Sequence, residues 1–249
     1  MSKKLETVLL FCDTMVFEQG GGPMSQSDHS SDLQAQPKPG IQIRVEQPKD
    51  RQAVEAITRS AFWNTEQLKR DGIGCTEHYL VHALRDTIAV PELNLVAERD
   101  GDIVGHVMMS IGSHVVDEDQ TYDVLTLAPL TVKPSVQNQG IGTALMHAVL
   151  AKAADLGFQA VILYGDPDYY HRFGFVDAKT YHITTEDGTN FPAFMALELQ
   201  EGSLRDVQGR YMLHATFDEK SYLPLAIEYD QNQTWTSLDT ADTQNHETT

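Results

Sequence analysis

Apolar and polar positions change period along the chain, and each change marks an element. Ile41-Gln42-Ile43-Arg44-Val45 reads as a first strand, and from Pro48 to Phe62 the positions Val54, Ile57, Thr58 and Ala61 fall on one face of a helix. Glu77 to Arg85 carries Leu80, Val81 and Leu84 at helical spacing. Two apolar runs, Asn94 to Arg99 and Ile103 to Val107, flank Asp100-Gly101, a strong hairpin signal. After an apolar strand that reaches Val132 and a polar turn, Ile141, Leu145, Ala148, Val149 and Leu156 form a helical stripe closed by Gly157. Ala160-Val161-Ile162-Leu163-Tyr164 is then continuously apolar, as a strand covered on both faces must be. Strand, helix and strand predict a parallel βαβ crossover. Strands near Phe194 to Leu199 and Arg210 to Ala215 complete a mixed, mainly antiparallel α/β (α+β) sheet flanked by helices.

The turn into the helix at Ile141 carries the chemistry. From Gln137 to Thr143 several backbone N–H groups lie ahead of the first intrahelical bond, and with the positive end of the helix dipole they favour an anion such as a pyrophosphate. Gly140 and Gly142 let such a ligand lie against the main chain. A P-loop would need a lysine that Gln139 to Thr143 lacks. A dinucleotide fingerprint would need a small third residue where Leu145 stands, although Asp166 lies near the distance of a ribose-binding acid. A Rossmann oxidoreductase is therefore the third reading.

The pattern Q/R-x-x-G-x-G/A is matched by Gln137-Asn138-Gln139-Gly140-Ile141-Gly142. About thirty residues on, the chain reads Gly165-Asp166-Pro167-Asp168-Tyr169-Tyr170-His171-Arg172-Phe173-Gly174-Phe175, with the spacing Y-x-x-x-G-F. In this order the two motifs resemble the coenzyme A loop and the following tyrosine element of the GNAT superfamily of acyl-CoA N-acyltransferases, and the block Leu130 to Phe175 resembles its YhbS-type branch. The resemblance extends over 41 to about 220. It implies acetyl-CoA as co-substrate and direct transfer to a primary amine of a small molecule or protein, without a metal. A non-catalytic acyl-CoA-binding module of the same fold is the alternative.

Composition places this domain between two tails. Residues 18–40 are rich in Gly, Ser, Gln, Asp and Pro, so residues 1–40 read as a disordered arm. From Glu228 the chain has five acidic and no basic residues and reads as a flexible tail, which leaves 41–227 as the domain. The net charge of −18 owes about seven units to these ends and reads mainly as a solubility trait. It disfavours nucleic acid as a partner. No apolar run approaches the roughly 20 residues of a bilayer span, so no membrane partner is expected. Lys3 and Lys4 before Val8 to Phe11 resemble a secretory signal only superficially, because Glu6 and Asp13 interrupt the apolar stretch. Two cysteines, Cys12 and Cys75, suit a reducing compartment, and a cytoplasmic location is expected. A homodimer is a candidate assembly.

Acyl transfer needs a held donor, a neutral amine, a donor to the carbonyl oxygen and a proton for the thiolate. By the resemblance, Leu130, Thr131 and Val132 would bond the pantetheine arm, and Gln137, Asn138, Gln139, Gly140, Ile141, Gly142 and Thr143 would cradle the pyrophosphate. Pro129 lacks an N–H and marks a bulge or splayed pair in this strand. The matching tyrosine, Tyr170, would protonate the thiolate, with Tyr169 as backup and Arg172 within reach of a coenzyme phosphate. Asp123, Glu66 and Glu77 are candidate bases, and His106 and His114 have suitable ordinary pKa values. The acceptor pocket is expected from Phe62 to Tyr79 and Asp187 to Phe194.

Overall fold

A computed structural model describes residues 40–118 and 120–235. The expectations for the arm before Gly40, for Cys12 and for the tail past Trp235 lie outside the described residues. Period-two alternation becomes β1, Ile41–Val45, and the first amphipathic stretch becomes α1, Arg51–Ala61, which buries Val54, Ile57 and Thr58. α2, Thr65–Asp71, was not foreseen. It is short, and its Leu68 is 37% exposed, so its apolar spacing gives almost no signal. Its ends are nonetheless written in the sequence: Asn64 Oδ1 accepts from Gln67 N–H at 2.9 Å, and Gly72 closes it in the left-handed region. α3, Glu77–Arg85, has the expected bounds.

The hairpin forms from β2, Leu95–Arg99, and β3, Asp102–Asp117, with Arg99 opposite Asp102. Both turn residues take positive φ, Asp100 at 53° and Gly101 at 91°, which the twist of a two-residue hairpin requires. β3 continues antiparallel to β4, Gln120–Val132. Next come α4, Ile141–Asp155, and β5, Ala160–Tyr164, parallel to β4 through Leu125 opposite Val161 and Thr126 opposite Ile162. The expected crossover is thus present. Leu156, assigned to its stripe, instead caps α4 and is 47% exposed.

After β5 come α5, Pro167–Tyr170, and four strands: β6, Val176–Asp177; β7, Ile183–Thr185; β8, Phe194–Glu198; and β9, Gly209–Met212. The sheet order is β1-β2-β3-β4-β5-β8-β6, and β9 joins the distal half of β3. β9 is shorter than the run Arg210 to Ala215 suggested, because Ala215–Phe217 turns into a 3-10 segment. β7 pairs with β9 in a second parallel pair, which the apolar pattern alone did not reveal.

Helices cover both faces of the sheet. α4 buries Ile141, Leu145 and Val149 against Val107, Leu125 and Val161 on one face. On the other, α1 and α3 pack with Val96, Met108 and Ala128. Gly105 of β3 admits α4 closely, since a Cβ there would meet Leu145 Cδ1 at 2.9 Å. Burying each large apolar side chain in these layers contributes about 2 kcal/mol.

The domain does not end at residue 227. α6, Glu219–Asn232, runs on through the stretch assigned to the acidic tail; Tyr222 and Ala226, with Leu223 and Ile227, pack into the layer formed by α1 and α3, and polar contacts extend the docking past residue 227. Asp230 accepts from Arg59 Nε at 2.7 Å and lies 3.3 Å from His78 Nε2, while the Arg59 guanidinium lies over the Trp63 and Trp235 rings at 4.4 and 5.1 Å. Burial would raise the Asp230 carboxyl, but the bonds from His78 and Arg59 outweigh it and hold it at about 2. Composition misled here because the acidic residues count as solvated only until a partner is known. Truncation after Ile227 should therefore lower the thermal midpoint by several degrees, whereas truncation after Trp235 should leave it within about one degree. Asp230→Ala alone should cost about 2 kcal/mol in urea unfolding.

Candidate active site

The parallel pairing of β4 and β5 lasts for two residue pairs. Beyond Thr126 and Ile162 the strands part, β4 staying with β3 and β5 with β8. Pro129 sits where the β3–β4 register shifts between Val107 opposite Leu130 and Met109 opposite Leu127, so the expected bulge lies at the opening. From Leu127 to Val132 the β4 edge that faced β5 has no strand beside it among the described residues, so the amides on that edge border a gap.

The α4 start lies at one mouth of this gap. Asn138 and Gly140 take positive φ, 62° and 81°, and turn the chain into the helix. The first helical bond runs from Ala144 N–H to Gly140 carbonyl at 3.0 Å, so the N–H groups of Ile141, Gly142 and Thr143 precede the ladder. Gln137 Nε2 donates to Val132 carbonyl at 3.2 Å, tying loop to strand, and Gln139 Oε1 accepts from Arg99 Nη1 at 3.0 Å. Arg99 was not singled out in the sequence, because its place beside the loop depends on β2–β3 pairing. Leu130 and Val132 point toward Gly142, while Thr131 is buried on the opposite face with its hydroxyl 3.2 Å from that of Thr58.

α5 closes the other side. Asp166 Oδ1 accepts from Asp168 N–H at 2.9 Å and caps it, which is a structural use for the acid considered for ribose. The Tyr169 hydroxyl would lie 2.7 Å from a Cβ at Gly142, so this ring overhangs the α4 start. Arg172 stacks on it at 4.1 Å and donates from Nε to Tyr169 carbonyl at 2.9 Å. Tyr170 is fully buried, its ring against Gly165 just past β5 and against Phe175. Cradle, gap and tyrosine pair are thus brought together.

The suggested bases are not gathered there. Glu66 is exposed and bonded to Lys69, and Asp123 and His114 form a surface pair at 2.8 Å. His106 is buried with Nε2 facing Asn94 Oδ1, and burial followed by the Arg85 charge pushes its pKa well down. Asn94 in turn bonds Glu46, which shares the buried Arg85 with Glu55, so His106 belongs to a network joining β1, α1 and α3. Glu77 is 5% exposed, and accepts from Cys75 Sγ–H at 3.2 Å and Thr76 N–H at 3.0 Å. Burial pushes its carboxyl up to about 7 despite those bonds.

A model described as the acetyltransferase (GNAT) family matches residues 58–175, a span that contains the cradle and both tyrosines. The Escherichia coli K12 protein named uncharacterized N-acetyltransferase YhbS is 31% identical over 177 residues, 71% of this chain and 98% of its own length. The chain belongs to the GNAT acetyltransferase family. The GNAT fold is equally evident in three dimensions: the crystal structure of E. coli YhbS in complex with CoA aligns with a TM-score of 0.61 at 29% identity, covering 74% of this chain and 96% of that one. A GNAT acetyltransferase from Brucella melitensis in complex with acetyl-CoA aligns at 0.52 and 28%, covering 72% and 98%. Among the described residues of this GNAT chain, no group of three or more His, Cys, Asp or Glu is arranged to hold a metal ion, and no helix is long and apolar enough to cross a membrane.

The buried Glu77 carries a pH signature. Its folded pKa of about 7 exceeds the ordinary 4.5, so the folded state binds the proton more tightly than the unfolded chain. Its contribution is therefore fully present below about 4.5 and is lost as pH rises through about 7, by up to about 3 kcal/mol. Urea unfolding of wild type and Glu77→Gln between pH 5 and 8 should show the variant gaining on wild type as pH rises. Parallel curves would contradict the shift.

Proposed function

We infer that the protein transfers an acetyl group from acetyl-CoA to a primary amine by direct attack. The observation that carries the reading is the two-pair contact of β4 and β5 followed by their separation beside a helix start with unused N–H groups. The relatives' ligands, CoA in E. coli YhbS and acetyl-CoA in the Brucella protein, support that co-substrate here.

In this reading the N–H groups of Gln139 to Thr143 and the α4 dipole bind the pyrophosphate. Gln137 and Asn138 shape the loop, and Arg99 and Arg172 flank it with positive charge. The backbone groups of Leu130 and Val132, which alternate away from β3, take the pantetheine amides in place of a neighbouring strand, one N–H polarising the thioester carbonyl, while Thr131 between them stays paired to His106 of β3. Tyr170, beside the gap at Gly165, gives its proton to the departing thiolate. Tyr169 packs over the diphosphate. The single buried thiol among the described residues, Cys75, is pushed up by burial and by Glu77, so it is protonated and not a nucleophile. An unbridged thiol also supports a cytoplasmic setting.

Gly142→Val should lower coenzyme A affinity by about 10²-fold or more in calorimetric titration, because the new side chain removes close contact with at least two donors. The fold should survive, since the first atom met is a side-chain hydroxyl, that of Tyr169, and not backbone. Unchanged affinity would overturn the reading. Tyr170→Phe should lower kcat by roughly 10²-fold with coenzyme A affinity retained. Tyr169→Phe should act mainly on KM for acetyl-CoA, and steady-state kinetics on both variants separates the two roles.

A further inference from the structure

The sheet face opposite α4 carries a cavity of about 480 Å³, a size that suits a small ligand. Its lining includes Tyr164 at the end of β5, Tyr211 on β9, Phe191, Phe217 and the carboxylates of Glu186 and Glu219. Thr126, the last β4 residue paired with β5, meets the Tyr211 hydroxyl through Oγ1 at 2.6 Å. Its neighbour Leu125 packs on the α4 side, and adjacent strand residues face opposite ways. Cradle and cavity therefore lie on opposite faces of the sheet, and the Thr126–Tyr211 contact sets the cavity wall beside the point where β4 and β5 part.

The walls define the ligand chemistry. Tyr164 and Phe191 stack with centroids 5.9 Å apart, and Tyr211 lies 6.2 Å from Tyr164, so the lining offers flat apolar surface. Of the other carboxylates in the lining, Asp187 is taken by Thr185 and Thr189, and Asp218 by Ser221. Glu219 differs in burial, being half-buried where Glu186, Asp187 and Asp218 are exposed. Thr76 Oγ1 at 3.1 Å and Gln67 Nε2 at 3.4 Å both donate to its Oε1, and its nearest cationic influence is the more distant Arg70, so among the described residues no ion pair occupies it. Burial also pushes the Glu219 carboxyl up, which makes it a better proton acceptor. Of the expected acceptor regions, the late loop reaches the cavity through Asp187 and Phe191, whereas the earlier one touches it only through the bonds of Gln67 and Thr76 to Glu219.

We propose that this cavity is the acceptor site and that it takes an arylalkylamine, the aromatic body against Tyr164 and Phe191 and the ammonium group on Glu219; this rests on the acetyl-CoA reading above. Glu219 accepts one ammonium proton, which frees the nitrogen lone pair. The nitrogen bonds the thioester carbonyl carbon, the carbon–sulfur bond breaks, and a second nitrogen proton replaces the one that the phenol gives to the thiolate. The products are the N-acetyl amide and coenzyme A thiol, and Glu219 returns its proton to solvent.

The test is calorimetric titration of 2-phenylethylamine into the full chain saturated with coenzyme A, together with acetyl transfer to 2-phenylethylamine and ethylamine. Phenylethylamine should bind, and its kcat/KM should exceed that of ethylamine by about 10-fold or more, the scale of burying a phenyl group. Glu219→Gln should lower kcat/KM for phenylethylamine by roughly 10²-fold with coenzyme A affinity unchanged, and Phe191→Ala should shrink the ratio between the two amines. Equal use of both amines by wild type, or wild-type amine binding and turnover in Glu219→Gln, overturns the proposal. Coenzyme A binding without amine binding overturns the acceptor site alone. Amine binding that Glu219→Gln abolishes, without coenzyme A binding, overturns the transferase reading and keeps the cavity as an amine site.

Discussion

Two parallel strands that pair for two residues and then separate are the constraint around which this chain is built. A buried strand edge left open costs free energy for every backbone group without a partner, about 1–3 kcal/mol each. The opening persists because β4 keeps β3 along its other edge and β5 keeps β8, while α4 packs across both strands. Pro129 reinforces the separation, since it has no N–H to contribute to a ladder. The cost is localised in one sheet opening, and the amides exposed there are the ones an extended ligand with amides of its own can satisfy.

Charge is handled locally rather than globally. The net charge of −18 would repel a polyanion, yet the α4 start presents only backbone N–H groups, with Arg99 and Arg172 beside them. Coulomb attraction across a few ångströms outweighs distant surface charge that salt screens within about 10 Å. Acidic groups concentrate on the opposite face, around Glu77 and Glu219, where burial raises both carboxyls. Elsewhere buried charges are matched to partners: Arg85 with Glu46 and Glu55, Arg59 with Asp230, and Arg44 with Asp50 and Glu98. These pairs fix α1, α3, β1 and α6 relative to one another.

Features with local signals were legible in the chain. The Asp100-Gly101 hairpin, the α3 bounds, the Ala160 to Tyr164 strand and the loop from Gln137 to Gly142 each depend on a turn, a cap or a period contained within about fifteen residues. Features that depend on distant partners were not. α6 carries Pro224 inside it and little apolar periodicity, so only docking of Tyr222, Ala226 and Asp230 shows it to be a helix of the domain. Glu219 and Tyr211 become members of one cavity through pairing of β9 with β3, which no run of sequence announces. His106 looked like a base because its ordinary pKa suits one, and burial beside Asn94 and Arg85 removes that property.

The central claim is that the gap between β4 and β5 admits an acyl donor anchored at the α4 start. Hydrogen–deuterium exchange of the full chain with and without saturating acetyl-CoA tests it most directly, because the amides involved are backbone groups with known positions. The account predicts slowed exchange in peptides covering 127–132 and 137–143, with the distal β3–β9 pairing unchanged. Protection confined to other segments, or none in these two under saturating ligand, would contradict it.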